Sequence, residues 1–161
     1  MANQHKKNRI LLASVVATSV VATSAMTVFS YIVSRIKADN YREPLLLADF
    51  FEKSAQTKKQ TALSLGWIVH YGVGFLFGLI YEPISKKRID RPPFRKGFCF
   101  GLLAGAAAIG GWSVLFRLHA DKPKINHQLF FKQLVISHII FGLVFASLYT
   151  RYKKYQNEII R

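Results

Sequence analysis

The most prominent pattern along the chain is an alternation between long apolar runs and short charged segments. Four runs of about 18–25 residues contain no charged residue, and a helix of about 20 residues crosses the roughly 30 Å hydrocarbon core of a bilayer. Because the apolar residues are continuous rather than alternating, the runs are typical of membrane helices and not of barrel strands. The sequence therefore predicts an all-α integral membrane four-helix bundle. We expect one membrane domain, residues 1–161, with transmembrane helices at about 10–34, 61–81, 97–116 and 130–150.

The longest connection, residues 35–59, contains a shorter amphipathic segment. Pro44 is favoured in the first turn of a helix. On a helical wheel the charged residues share one side and the apolar residues the other, and the apolar side comprises Leu46, Leu47, Phe50 and Phe51. This pattern predicts a short helix at about 44–54 that lies in the membrane interface. The alternative is an ordinary loop with some apolar residues.

Helices two and four share the pattern H-x3-G-x2-F-x3-Y. At 100° per residue these four positions fall on one face of a helix. The chain therefore reads as two helix hairpins related by a parallel repeat, whose axis runs along the membrane normal. The repeat predicts that the two histidines lie at similar depth, one in each half. The matched pairs are His70 with His138, Gly74 with Gly142, Phe77 with Phe145, and Tyr81 with Tyr149.

Small residues recur at every fourth position in helices one and three, a spacing that lets helix backbones approach closely in lipid. We expect helices one and three to form a tightly packed core, while helices two and four turn aromatic residues to lipid and one histidine each inward. The glycine stripe of helix three could also face a second copy, which makes a homodimer an expected partner. The glycines expected at helix contacts are Gly74, Gly78, Gly97, Gly101, Gly105 and Gly142.

The net charge of +15 relates to the orientation of the chain in the membrane rather than to the binding of a charged ligand. The lysines and arginines stand at the ends of the apolar runs, where they set orientation and contact anionic headgroups. No nucleic-acid-binding motif accompanies them, so nucleic acid is not an expected partner. The N-terminus, residues 82–96 and the C-terminal tail carry 13 basic residues, against 10 on the other side. This mild bias predicts that both termini are cytoplasmic.

A histidine that faces a bundle interior is a functional hypothesis by default. In the simplest interpretation each imidazole hydrogen-bonds a hydroxyl or a backbone carbonyl and holds helices together. In the second, the histidines line a shared polar pocket, although no Asp, Glu, Lys or Arg is expected inside the helix cores, where ion-coupled transporters usually keep one. In the third, they ligate a haem. The residues of the candidate pocket are His70, His138, Tyr81, Tyr149, Thr23 and Thr27.

The sequence offers little support for a disulfide, a metal site or a catalytic site. The single cysteine, Cys99, excludes an intramolecular disulfide and a cysteine-based metal site. His119 and His127 flank Asp121 in a segment expected to be a flexible polar loop, where nothing fixes a metal-binding geometry. Catalytic triads, paired carboxylates in apolar surroundings and phosphate-binding glycine loops are not apparent. We therefore expect no enzymatic activity, no metal and no cofactor.

Two motifs carry a resemblance to known proteins. Helix one contains Ala22-Thr23-Ser24-Ala25-Met26-Thr27, and helix two follows with His70, Gly72, Gly74, Gly78 and Tyr81. The combination resembles small four-helix bacterial inner-membrane proteins that are grouped only as families of unknown function. The resemblance implies the fold and a bacterial inner-membrane location, and it implies no activity.

The expected role is that of a structural or accessory membrane component, with a lipid or another apolar molecule as the candidate ligand. The alternative is a small transporter or channel that works as a homo-oligomer, because four helices alone enclose little pore.

Overall fold

A computed structural model describes residues 2–87 and 92–159, and the side chains of residues 9–85 and 92–155. In these ranges the chain forms five α-helices and no strand. Four of the helices are long and apolar enough to cross a membrane, which confirms the predicted all-α architecture. Several basic residues behind the orientation prediction, among them Arg88 and Arg161, lie outside the described residues. The helices are α1 (Ala2–Lys37), α2 (Glu43–Ser54), α3 (Lys59–Lys87), α4 (Pro93–Leu118) and α5 (His127–Ile159).

Each long helix extends beyond its uncharged run into the charged residues on either side. Such residues can keep their charged ends in water while their stems cover apolar surface. At the end of α1 the chain reverses at Ala38, whose φ of 52° lies in the left-handed region. The Asp39 amide then donates to the Ser34 carbonyl over 3.2 Å and closes the helix end. The candidate spans are Arg9–Lys37, Lys59–Ser85, Pro93–Leu118 and His127–Tyr155.

The four long helices form an incomplete ring. α1 packs against both α3 and α5, and α5 packs against α4, whereas α3 and α4 barely touch in the described part of the chain. In a symmetric pair of hairpins the α3–α4 contact would match the α1–α5 contact, so the ring departs from the symmetry that the repeat implies. The short helix α2 packs on α3. Its Leu46 and Leu47 join a cluster with Trp112 and Phe130, which places α2 over one end of the gap.

The predicted core of helices one and three is wrong, because α1 and α4 have no extended contact. Close contacts of small residues instead occur within each hairpin. A Cβ added to Gly74 would collide with Thr23 of α1, and one added to Gly78 would collide with Ser19. The small residues thus bring each first helix close to the histidine-bearing helix that follows it.

The glycine stripe of α4 packs against α5. A Cβ on Gly101 would lie 2.5 Å from the His138 carbonyl oxygen, and one on Gly105 would lie 3.1 Å from the Val135 Cα. Gly97 and Gly142 face each other across the same contact. Because α5 covers the stripe, it is not available to a second copy, and the homodimer prediction loses the feature on which it depended.

The expectation that α3 and α5 turn aromatic residues to lipid is also wrong for the main aromatic positions. Phe141, Phe145 and Tyr149 of α5 and Tyr81 of α3 are all buried. The outward surface is mostly aliphatic, with residues such as Ile68 and Leu103 exposed. Large rings fill the space between helices, whereas lipid tails are as apolar as leucine and do not select for rings.

The α2 helix is docked at both ends. A Cβ on Gly66 of α3 would collide with the Pro44 carbonyl oxygen and lie 2.9 Å from the Ala48 nitrogen, so glycine allows this close approach. At its other end, Lys53 pairs with Asp121 over 3.0 Å. The Pro44 start agrees with its preference for the first helical turn.

The segment between α4 and α5 contacts α2 through the buried His119, whereas most of its other residues are exposed. The buried His119 ring lies edge-on to Phe50 of α2, with centroids 5.7 Å apart. The His127 ring contacts Phe116 at 4.7 Å. These two histidines hold α2 and the helix ends together, because an imidazole packs on an aromatic ring as readily as it faces water.

Candidate functional site

The gap between α3 and α4 encloses a cavity of about 250 Å³. Leu47 of α2 covers one end. At the other end Phe77 of α3 meets Phe100 of α4, with ring centroids 6.3 Å apart. Val73 and Gly111, which line the two sides, are exposed on the outer surface of the bundle. The cavity therefore opens between α3 and α4, two of the helices that are long and apolar enough to cross a membrane.

His70 lines the cavity from α3 and is bonded to α1. Its Nε2 lies 2.8 Å from the Thr27 hydroxyl oxygen, and that oxygen lies 2.7 Å from the Thr23 carbonyl oxygen. The hydroxyl has one hydrogen, and the carbonyl can only accept. Both bonds form together only when Nε2 donates to Thr27, which leaves the lone pair of neutral His70 on Nδ1.

His138 lines the same cavity from α5. It is hydrogen-bonded through Nδ1, whereas His70 is hydrogen-bonded through Nε2. Its Nδ1 lies 2.8 Å from the Leu134 carbonyl oxygen and must donate to it. The lone pair of neutral His138 is then on Nε2, which has no hydrogen-bond partner among the described residues. The ring lies edge-on to Phe77, with centroids 5.8 Å apart.

The two histidines occupy matching positions in the two hairpins. Each lies eleven residues after the first residue of its helix, from Lys59 to His70 and from His127 to His138. At 1.5 Å per residue both are about 16 Å along the helix from the same end of the bundle. The predicted similar depth agrees with the structure, and the structure adds that both rings face one cavity.

A carboxyl group that the sequence did not single out completes the polar part of the cavity lining. Glu43, in the first turn of α2, is only 2% exposed. Its Oε1 accepts hydrogen bonds from Ser30 Oγ at 2.8 Å and from Gln133 Nε2 at 3.2 Å. Its Oε2 has no partner among the described residues. The cores of the four long helices are free of acidic residues as expected, but α2, which is not one of the candidate spans, supplies a buried carboxyl group from outside them.

Burial determines the protonation chemistry of Glu43. Removal from water raises the pKa of this carboxyl to about 7, although the hydrogen bonds from Ser30, Gln133 and Ser137 act in the opposite direction. No charged nitrogen lies among the residues that line the cavity. Both the neutral and the ionised form are consequently accessible near neutral pH.

A helical wheel contains the signal that could have identified Glu43. Residues three and four positions apart share a helix face, and Leu46 and Leu47 follow Glu43 by three and four. Glu43 therefore lies on the apolar side of α2, where an acidic residue is anomalous. Glu43 lies outside every apolar run, in the connection 35–59, so the hydropathy pattern alone does not identify it.

The structure divides the six predicted pocket residues into separate groups. His70 and His138 line the cavity. Thr27 is hydrogen-bonded to His70 but does not itself line the cavity. Thr23 lies one turn away against Gly74. Tyr81 and Tyr149 do not line the cavity, since they lie eleven residues farther along their helices and meet each other edge-on at 5.9 Å. These tyrosines belong to a buried aromatic cluster with Phe145.

The cavity dimensions bear on the haem interpretation. Pockets for drug-sized ligands measure about 300–1,000 Å³, and a porphyrin is larger than most such ligands, so the 250 Å³ cavity does not hold one without movement of α3 or α4. Within the described ranges, no cluster of three His, Cys, Asp or Glu side chains could hold a metal ion.

A second depression lies on the outer side of α1 and α3. It is lined by Trp67 and Tyr71 of α3 and by Tyr31 of α1. The Arg42 guanidinium lies over the Tyr31 ring at 5.4 Å, and Arg35 also lines the groove. Aromatic rings beside arginines are typical of the level at which lipid headgroups lie.

Comparison with known proteins gives one match. The chain belongs to DUF6789, a family of unknown function, whose family model matches residues 10–159. Searches of curated proteins and of solved structures give no match. The match agrees with the resemblance to a family of unknown function, and it brings no activity with it.

Proposed function

We propose that this member of a family of unknown function is a multi-pass membrane protein that binds a small, largely apolar molecule in the cavity between α3 and α4. The observation that carries the proposal is the cavity itself, which lies between two barely touching helices and opens sideways. A site that opens in this direction admits a molecule dissolved in the bilayer. The role is one of binding, with no reaction at the site.

The lining supports a binding role. Ligand sites are mostly apolar, with a few convergent polar groups that orient the ligand. Here aliphatic and aromatic walls surround three polar side chains, those of Glu43, His70 and His138. An apolar protein cavity of about 150 Å³ holds a benzene molecule. A cavity of 250 Å³ therefore suits a single ring or a short chain with a polar end.

Tryptophan fluorescence can test the proposal. The chain has two tryptophans, of which Trp112 lines the cavity and Trp67 does not. In a Trp67→Phe background, a small aryl bromide such as bromobenzene should quench Trp112 saturably. Gly111→Leu should abolish the saturable part, because Gly111 lines the cavity and a Cβ there meets open space.

Gly110→Leu is the matched control. Gly110 is the preceding residue of α4, its Cβ position is equally open, and it does not line the cavity. Saturable quenching should persist in this variant. Equal quenching in the two leucine variants would show that the bromide reaches Trp112 from the surrounding lipid and would exclude the cavity as its site.

A second candidate function is that of a small ion-coupled transporter. One observation favours it: Glu43 supplies the buried acidic group that such proteins usually keep in the membrane interior. Vesicles containing the protein should then carry protons or cations in a Glu43-dependent manner. If wild type and Glu43→Gln give the same flux as empty vesicles, this candidate is excluded and the binding role is unaffected.

Lipid contact and location form part of the same proposal. We place the protein in a bacterial inner membrane, with both termini cytoplasmic and with Arg35 and Arg42 directed at anionic headgroups. The orientation can be tested by replacing Cys99 with serine and Ala55 with cysteine. The new cysteine is then labelled with a membrane-impermeant maleimide. Ala55 follows α2 and is exposed, so labelling from the periplasmic side is expected. Labelling only after lysis would reverse the orientation.

A further inference from the structure

Some polar atoms in and beside the cavity lack partners in the described structure: two are acceptor oxygens, and a third, Thr23 Oγ1, is a hydroxyl beside Gly74. Glu43 Oε2 and Gln133 Oε1 are buried without a hydrogen bond. When His138 is neutral, its Nε2 lone pair is unpaired as well. Buried acceptors without donors are unfavourable and uncommon in folded proteins. A donor group in the cavity would satisfy the two acceptor oxygens.

The charges of the lining residues also indicate a missing donor, because the acidic group has no basic side chain beside it. Glu43 contributes the only carboxyl group to the lining, and the lining contains no lysine or arginine. Its hydrogen-bond donors, Ser30 and Gln133, are uncharged. A buried carboxylate normally has a cation beside it. Among the described residues that line the cavity, no lysine or arginine supplies that cation.

We infer that the occupant of the cavity is a small amphiphilic amine, whose ammonium group pairs with Glu43 and whose apolar body lies against Trp112 and Phe77. This inference rests on the proposed binding function and specifies the class of ligand. Burial raises the pKa of Glu43 to about 7, which agrees with a carboxyl group that lacks its counter-ion in the unliganded protein.

An ammonium group fits this lining better than the other polar ends. It offers several N–H donors to the unpaired acceptors, and charge-assisted hydrogen bonds are about twice as strong as neutral ones. A hydroxyl group offers one donor and no charge. A carboxylate or phosphate would meet Glu43 with like charge. The rings of Trp112 and Phe77 add a favourable surface for a cation that approaches their faces.

Three probes of nearly equal shape separate these possibilities: 4-bromophenethylamine, 4-bromophenethyl alcohol and 1-bromo-4-ethylbenzene. They share the aryl bromide that quenches Trp112 and differ only at the end of the chain. Binding is measured at neutral pH by saturable quenching in the Trp67→Phe protein. The amine should bind at least about tenfold more tightly than the alcohol, as expected for a desolvated charge pair. The hydrocarbon should bind no better than the alcohol.

Glu43→Gln provides the decisive comparison. Glutamine keeps an oxygen for the bonds from Ser30 and Gln133 while it removes the charge. The preference for the amine should disappear in this variant. Gly111-dependent quenching by 1-bromo-4-ethylbenzene, which has no polar end to contact residue 43, should persist and shows that the cavity is intact. Glu52→Gln removes the charge of an exposed residue on the same helix, and it should leave the preference unchanged.

The outcomes distinguish the inference from the function on which it rests. If the probes bind in a Gly111-dependent manner without preference for the amine, or if the preference survives in Glu43→Gln, the cavity is a binding site and the amine inference is wrong. If no probe shows Gly111-dependent binding, the proposed function itself fails.

Discussion

The Glu43 carboxylate accepts a hydrogen bond from the Ser30 hydroxyl over 2.8 Å, although the first residue begins α2 and the second lies in α1. Ser30 also accepts a hydrogen bond from Gln133 of α5. The first turn of the short helix is thereby tied to two membrane helices. The bond places an ionisable group in the bundle and closes one end of the cavity, so it links stability to the proposed site.

The stability of the protein should fall as pH rises through neutrality because of Glu43. Its pKa is about 7 in the folded protein and 4.5 in the ordinary reference state, so the folded state binds more protons between these values. Stabilisation is complete below about pH 4.5 and is lost by about pH 7, with an upper magnitude of about 3 kcal/mol. Thermal midpoints of wild type and Glu43→Gln from pH 5 to 8 measure the effect.

The difference between the two melting curves isolates the carboxyl group. His70 and His138 also line the cavity, and both are present in both proteins, so any contribution from them cancels. Wild type should lose stability relative to Glu43→Gln as pH rises, and Glu52→Gln should follow wild type. Parallel curves for wild type and Glu43→Gln would mean that Glu43 does not change its protonation on unfolding.

Gly66→Ala should destabilise the protein by displacing α2 from α3. The new methyl group would collide with the Pro44 carbonyl oxygen, and backbone cannot yield as a flexible side chain does. A loss of about 1–3 kcal/mol is expected for overpacking of this kind. The measurement is the thermal midpoint in detergent, together with Trp112 quenching as a report on the cavity.

Gly72→Ala is the control for that variant. Gly72 lies in the same helix with no atom within 4 Å of its Cβ position. This substitution should be neutral or raise the stability slightly, because alanine is the better helix former by up to about 1 kcal/mol. Equal effects of the two alanines would indicate that α2 is not held against Gly66.

His70 and Thr27 should be energetically coupled. Their hydrogen bond of 2.8 Å joins α3 to α1, and interhelical bonds of this type measure about 0.6 kcal/mol on average and up to about 1.7 kcal/mol. A double-mutant cycle of His70→Leu and Thr27→Val gives the coupling. His70→Gln should be largely tolerated, since an amide can still donate to Thr27.

His138 provides the comparison for this cycle. It is also a histidine and lies at the same depth as His70, but it donates a hydrogen bond to the Leu134 carbonyl oxygen within its own helix. The cycle of His138→Leu with Thr27→Val should be additive within about 0.5 kcal/mol. If both cycles gave the same coupling, the effect would come from general packing and not from the His70–Thr27 bond.

Gly101→Ala should reduce stability without changing the oligomeric state. The added carbon would lie 2.5 Å from the His138 carbonyl oxygen in the α4–α5 contact. Gly110→Ala, on the same helix but open, should be tolerated. Thermal melts and native mass spectrometry measure the two properties. A shift from dimer to monomer with unchanged stability would restore the stripe as an interface between copies.

Much of the site's framework was predictable because it depends on local order in the sequence. The spacing of His70 and His138 within their runs predicted their similar depth, since helix geometry converts position into distance. The glycine spacing indicated close helix contacts. Glu43 was not identified, because its burial depends on how α2 docks and not on the hydropathy of the residues around it.

The length and continuity of the apolar runs were enough to predict four helices that can span a membrane. The local spacing of residues also predicted the amphipathic α2 and the similar depth of the two histidines. The pairing of the helices, the separation of α3 from α4 and the inward direction of the large rings of α5 became known from the fold. Lipid and protein interior are both apolar, so hydropathy does not distinguish a core face from a lipid face. That distinction depends on the shapes that meet between helices far apart in sequence.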